Sequence, residues 1–222
     1  MGDGLSRRAL TPDEARSLLD VAPQHRRIVY MLALYAGLRR NEIASLTWGD
    51  CSTRDGVAWL RLPATVAKNA KVSDHRIPDF LAYALLEYRR SHCSETSVVI
   101  REGVPRVPTL RGDLSRAGIL FEDEKSQRVD LHALRHTYIT WLAQTGVMLR
   151  ELQALARHSD IRTTSRYLHP SQDRTHEAID KLPRLSGEGP VTPRDTSDGH
   201  KGPQLVPSCH NQSKRSRETE NT

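Results

Sequence analysis

The segment RRIVYMLALYAGLRRNEIASL, residues 26–46, constrains the fold more than any other stretch. Ile28, Met31, Leu32 and Tyr35 recur at helical spacing, and Gly37 stands where a helix would end. Two arginines, Arg39 and Arg40, follow at once. Asn41 is a possible cap for a second helix that carries Glu42 in its first turn. A long apolar helix that stops beside two cations must form part of a core that ends at a polar site.

Other segments share the helical period. LTPDEARSLLDVA (10–22) has Thr11 as N-cap and Pro12 at the first helical position. FLAYALLEYRR (80–90), LRGDLSRAGI (110–119, with Asp113 near its start), LHALRHTYITWLAQTG (131–146), MLRELQALARHS (148–159), IRTTSRYLH (161–169) and DRTHEAIDKL (173–182) also read as helices. Only VAWLRLPATVAK (57–68) and HRIPD (75–79) alternate like strands, joined by the polar turn KNAKVSD. The fold class is therefore mainly α with a small antiparallel β-sheet, an α+β arrangement.

Residues 185–222 change composition. Pro, Gly, Ser and Thr dominate, and so few apolar residues cannot offset the ordering entropy, so this tail is expected to be disordered. Its five basic and five acidic residues balance, which leaves the chain's net charge of +6 on residues 1–185. An excess of Lys and Arg in the folded part points to a polyanionic partner, nucleic acid first. Residues 1–9 read as a leader and 10–184 as one domain. Cys51, Cys93 and Cys209 form no CxxC pair, which excludes a disulfide framework and fits a reducing compartment. There is no signal-peptide pattern and no apolar run of ~20 residues, so a cytoplasmic protein without a membrane partner is expected.

Three blocks carry unusual polar chemistry. In GLRRNE (37–42), Arg39 can present its planar fork to a phosphate, with Glu42 to orient it; an ordinary ion pair at a helix junction is the plainer alternative. In HALRH (132–136), His132 and Arg135 share a helix face. His132 and His136 have the i, i+4 spacing of HExxH zinc sites, but Ala133 replaces the Glu and Arg135 would repel a divalent cation. No metal is expected, and His136 reads as structural, donating to a backbone carbonyl. In HSDIRTTSRY (158–167), His158 and Tyr167 each have dull explanations when taken singly.

Together the three blocks resemble the tyrosine recombinase (phage integrase) family, whose catalytic domain carries G-L-R-x-x-E, H-x-L-R-H and H-S-x-I-x-T-T-x-x-Y blocks in this order. KNAKVSDHRIP (68–78) resembles the family's lysine-bearing sheet turn, with two extra residues. The resemblance covers roughly residues 9–182. It implies a site-specific recombinase or integrase catalytic core, which cleaves and rejoins double-stranded DNA through a covalent 3′-phosphotyrosine without metal or ATP. In that scheme Tyr167 is the nucleophile, and Arg39 and Arg135 clamp the scissile phosphate. Lys68 is the general acid, with Lys71 as its rival. His132 takes or relays the tyrosine proton, His158 bonds a phosphate oxygen, and Glu42 positions Arg39. Tyr138 reads as core, as do Leu134 and Trp141. Arg40, Lys71, Arg76 and Arg162 are candidate contacts to the DNA backbone, with surface charge as the alternative.

Arg157 stands where the family commonly has Gly. The family's N-terminal DNA-binding domain is expected to be absent, which leaves open a non-catalytic DNA-binding remnant. A topoisomerase-like nicking and relaxing enzyme shares the chemistry. Self-association on DNA as a dimer or tetramer, and a place at the nucleoid, are further expectations.

Overall fold

The computed structural model describes residues 6–63, 72–89 and 94–167. Its elements are α1 (Pro12–Val21), α2 (Gln24–Tyr35), α3 (Arg40–Ser45), a 3-10 turn (Trp48–Asp50), β1 (Cys51–Arg54), β2 (Val57–Leu62), β3 (Ser73–Arg76), α4 (Asp79–Tyr88), α5 (Val107–Arg116), α6 (Leu131–Gln144), α7 (Leu149–Ala156) and α8 (Ile161–Ser165). The expected class, mainly helical with a small antiparallel sheet, is what forms.

Helix α1 starts as its sequence dictates. The Thr11 hydroxyl accepts from Glu14 N–H, and the Glu14 carboxylate accepts from Thr11 N–H, a reciprocal cap with Pro12 in the first turn. Helix α2 is more deeply placed than its amphipathic period suggests. Every residue from Ile28 to Leu34 is buried, because α1, α4 and α6 all pack against it. Tyr30, fully buried, donates its hydroxyl to Asp113 Oδ2 at 2.6 Å, and Arg26 Nε reaches the same oxygen at 2.7 Å. Asp113 was expected near a helix start; it lies inside α5, which begins at Val107, and ties α5 to α2. The Pro108 ring at the second position of α5 explains the earlier start.

The sheet has the order β1-β2-β3, antiparallel throughout. Strand β1, short and half exposed, lacks the alternation that would announce it in the sequence. Along β2, Ala58, Leu60 and Leu62 turn inward. His75 of β3 pairs with Leu60, shares its inner face and is buried at 7% exposure. The sheet therefore points an imidazole at the end of the helical core. The turn that carries Lys68 and Lys71 lies outside the described residues, as do the helix expected at 173–182 and the tail 185–222.

The start of the chain is anchored where it is described. Ser6 O accepts from Arg128 N–H at 2.9 Å, and Arg7 pairs with Asp130 at 2.9 Å. Leu10 N–H donates to Thr137 Oγ1 of α6 at 2.9 Å. Asp130 is also the N-cap of α6, accepting from Ala133 N–H. Among the described residues no helix is long and apolar enough to cross a membrane.

Candidate active site

Gly37 begins the site. Its φ of +59° turns the chain out of α2, and Leu38 N–H returns to Leu32 O at 3.2 Å. The Tyr138 ring of α6 packs against this glycine so closely that a Cβ would sit 2.6 Å from Cε1. The close approach leaves the Gly37 carbonyl facing the space between α6 and α7.

Arg39 follows as the N-cap of α3, so this helix begins two residues earlier than an Asn41 cap would give. The Glu42 carboxylate is the reason: it accepts from Arg39 N–H at 2.7 Å and from Arg39 Nη1 at 3.0 Å. Glu42 is only 1% exposed. Burial raises its pKa, but Arg157 and Arg39 outweigh burial and hold it below the ordinary carboxylate range. Arg39 Nη2 also donates to the Arg157 carbonyl at 3.2 Å.

Arg135, on α6, is the largest fully buried side chain described, at 1% exposure. It donates through Nη1 to Gly37 O and through Nη2 to Ala156 O, which bridges the end of α2 to the end of α7. Among the described residues no carboxylate pairs with it. Burial, then Arg39 and Arg157, lower its pKa to about 9, so it stays charged at neutral pH.

Arg157 ends α7 in the left-handed conformation, φ +53°, where a glycine would rest without strain. Its side chain turns inward. Nη2 donates to Gly37 O at 2.9 Å, the same carbonyl that Arg135 uses. Nη1 lies 2.9 Å from Glu42 Oε2, close enough for an ion pair but not aligned as a hydrogen bond, and Nε has no hydrogen-bond partner. In the sequence Arg157 differs from the family pattern and nothing more. It is in fact a third guanidinium of the site.

The histidines complete it. The His158 ring lies 3.0 Å from the buried Thr164 hydroxyl, Nδ1 to Oγ1, and burial, then Arg135 and Arg39, pull its pKa down to about 4. The ring of His132 is crowded by side chains although the residue is exposed at the rim. That desolvation, with Arg7 and Arg135, holds it below the ordinary histidine value. His75 reaches in from β3, and burial, then Arg157, lowers it to about 4. Three neutral imidazoles thus stand among three cationic guanidiniums at neutral pH.

Tyr167, just beyond α8, packs against α6. Its hydroxyl lies 2.9 Å from Nδ1 of His136, with ring centroids 4.9 Å apart. His136 was expected to donate to a backbone carbonyl; it contacts Tyr167 instead, because α8 brings the phenol across α6 one residue beyond Arg135. Burial raises the Tyr167 pKa, opposed by Arg135, Arg166 and Arg7. Leu134 is fully buried, and Trp141 packs partly buried against the core.

The other candidates lie apart. Arg40 donates to the carbonyls of Pro105, at 2.8 Å, and Val104, at 2.9 Å. Arg76 lines an apolar groove with Tyr35, Ile77, Tyr138 and Trp141. Arg162 is exposed and pairs with Asp160 at 2.9 Å. Among the described residues no group of three or more His, Cys, Asp or Glu side chains is placed to hold a metal ion.

Two guanidiniums, Arg39 and Arg157, share the buried carboxylate of Glu42, and a third, Arg135, stands beside them bonded only to backbone carbonyls. At an effective dielectric constant near 20, two like charges 4 Å apart repel by ~4 kcal/mol, so such a set gains by admitting an anion. With a phenol beside it, the cleft can hold a phosphodiester and present a nucleophile to it.

Comparisons with known proteins place the chain in a family. The model of the phage integrase family matches residues 8–174. Tyrosine recombinase XerA of Thermococcus kodakarensis is 29% identical over 82% of this chain and 66% of its own length. The integrase of Salmonella phage P22 is 27% identical over 81% of this chain and 48% of its own. The chain thus spans about half to two thirds of these relatives. The crystal structure of the XerH site-specific recombinase bound to its difH substrate superposes with a TM-score of 0.59 at 18% identity, over 82% of this chain and 56% of that one, a likeness of fold. The chain belongs to the phage integrase family.

Proposed function

We propose that this chain is the catalytic domain of a site-specific DNA recombinase or integrase, which cleaves and rejoins strands through a covalent 3′-phosphotyrosine. The observation that carries the reading is Arg135, buried, bonded to two backbone carbonyls, with Arg39 and Arg157 beside it and Tyr167 packed on the next residue of α6, His136. A guanidinium so placed is fixed before the reaction. It can stabilise charge that develops on the phosphate without reorganising.

In this mechanism Arg39 and Arg135 hold the non-bridging oxygens, and His158 donates to one of them. Glu42 fixes Arg39 by accepting from its backbone and its side chain. Tyr167 attacks phosphorus, and Lys68, or its rival Lys71, protonates the leaving 5′ oxygen. The phosphotyrosine conserves the bond energy, so the released 5′-hydroxyl can reverse the step without ATP. The proposal takes the reaction to be independent of metal, with the arginine side chains supplying the positive charge. The substrate is double-stranded DNA; among solved structures of like fold, the Tn1549 transposon integrase is in complex with circular intermediate DNA. Strand exchange pairs two sites, so self-association on DNA as a dimer or tetramer belongs to the proposal, as does a place at the nucleoid of the cytoplasm.

The test is incubation with labelled, nicked duplexes without added metal. A denaturant-resistant protein–DNA adduct is expected from the wild type and not from Tyr167→Phe, with DNA binding unchanged. Salt-dependent DNA binding with no adduct on any nicked substrate would instead identify a non-catalytic DNA-binding domain. Relaxation of supercoiled plasmid with no preferred site would identify a topoisomerase-like enzyme.

A further inference from the structure

The family blocks give the tyrosine proton to His132, yet the side chain in contact with the phenol is a different one. His136 Nδ1 lies 2.9 Å from Tyr167 Oη, and the two rings meet at 47°. The His158 ring is farther off, with its centroid 6.4 Å from that of Tyr167. Among the described residues no hydrogen bond joins His132 to Tyr167. His132 lies one turn earlier on α6, at the rim, near the Arg7–Asp130 pair.

We propose that His136 is the proton acceptor for Tyr167 in strand cleavage. The assignment rests on the phosphotyrosine reading given above. Geometry carries it: the phenol is already within hydrogen-bond distance of an imidazole nitrogen, as a general base requires. Electrostatics agree, since burial and then Arg7 keep His136 below its ordinary pKa and so favour the neutral ring, whose Nε2–H tautomer accepts at Nδ1.

The step balances as follows. Tyr167 Oη forms a bond to phosphorus, and the bond from phosphorus to the 5′ oxygen breaks. The phenolic proton passes to His136 Nδ1, and the leaving oxygen takes its proton from the lysine of the sheet turn. In rejoining, the 5′-hydroxyl attacks phosphorus, the bond to Oη breaks, and the His136 imidazolium returns the proton to the phenolate.

The test uses the full chain with nicked duplexes in which the scissile 5′-bridging oxygen is either normal or replaced by sulfur. A sulfur leaving group needs no general acid but still needs the nucleophile deprotonated. His136→Gln preserves a hydrogen-bond acceptor without the basicity. On normal DNA it should form adduct on the order of 100-fold more slowly than the wild type, with DNA affinity unchanged. The sulfur substrate should leave that defect in place. Tyr167→Phe should also move the His136 Nδ1 nitrogen resonance in the DNA-free protein.

Wild-type rates from His136→Gln would overturn the assignment. So would faster cleavage, which would mean that His136 restrains the tyrosine, and so would full rescue by sulfur. Each of these leaves the phosphotyrosine reading intact, because the wild type still forms adduct. No adduct from the wild type on either substrate would overturn that reading and this assignment together.

Discussion

Glu42 Oε2 stands 2.9 Å from Arg157 Nη1, while Glu42 Oε1 stands 3.0 Å from Arg39 Nη1, so one buried carboxylate holds two arginines that arrive from different ends of the chain. Removing the negative charge would leave two guanidiniums facing each other in a closed cleft. Glu42→Gln is therefore expected to lose about 3–5 kcal/mol of stability, as for breaking a buried pair by deleting one partner. Urea unfolding reads this as a lower midpoint at an unchanged slope.

Arg157 combines a left-handed backbone with a buried charge, and two substitutions separate them. Arg157→Ala and Arg157→Gly both delete the guanidinium that reaches Glu42 and Gly37 O. They differ at φ +53°, where a Cβ costs roughly 1–2 kcal/mol. The Gly variant should be more stable than the Ala variant by about that amount in thermal or urea unfolding. Equal stability would mean that the backbone relaxes out of the left-handed region.

Gly37 is doubly constrained. Gly37→Ala forces a side chain onto φ +59° and into the Tyr138 ring. A loss of roughly 2–4 kcal/mol is expected, from left-handed strain together with overpacking. Tyr138→Ala in the same background should recover part of the overpacking share, and a double-mutant cycle measures it.

His75 should make the fold acid-sensitive. Burial and then Arg157 hold its folded pKa at about 4, against 6.5 for the free group. Below pH 6.5 the unfolded chain gains a proton that the folded chain refuses until about pH 4. Stability is full above pH 7 and falls across that window, by up to ~3 kcal/mol from this residue. His75→Leu should make the decline between pH 6.5 and 4 shallower. His158, also held at about 4, keeps part of it. The check is urea unfolding at a series of pH values.

Much of this was legible in the sequence because it is local. The Thr11–Glu14 cap, the helix from Leu131 and the turn at Gly37 follow from propensity and spacing within a few residues. The family resemblance singles out Arg39, Glu42, Arg135 and His158 in ordered blocks, and the fold then gathers them. Strand β1 and the early start of α5 were not legible, since neither carries a clean period. The contacts that distinguish this site were decided by tertiary structure alone. Sequence spacing places His132 and Arg135 on one face of α6, but it does not say that α8 lays Tyr167 on His136. The family resemblance marks Arg157 as a departure, but only the approach of α3 to the end of α7 supplies the buried carboxylate that draws its side chain inward. Nor does a four-residue strand say that its histidine will face two arginines. Such outcomes depend on which helix ends meet. That is fixed by the packing of the whole core and by the cost of leaving a buried charge alone, and no short window of sequence contains either.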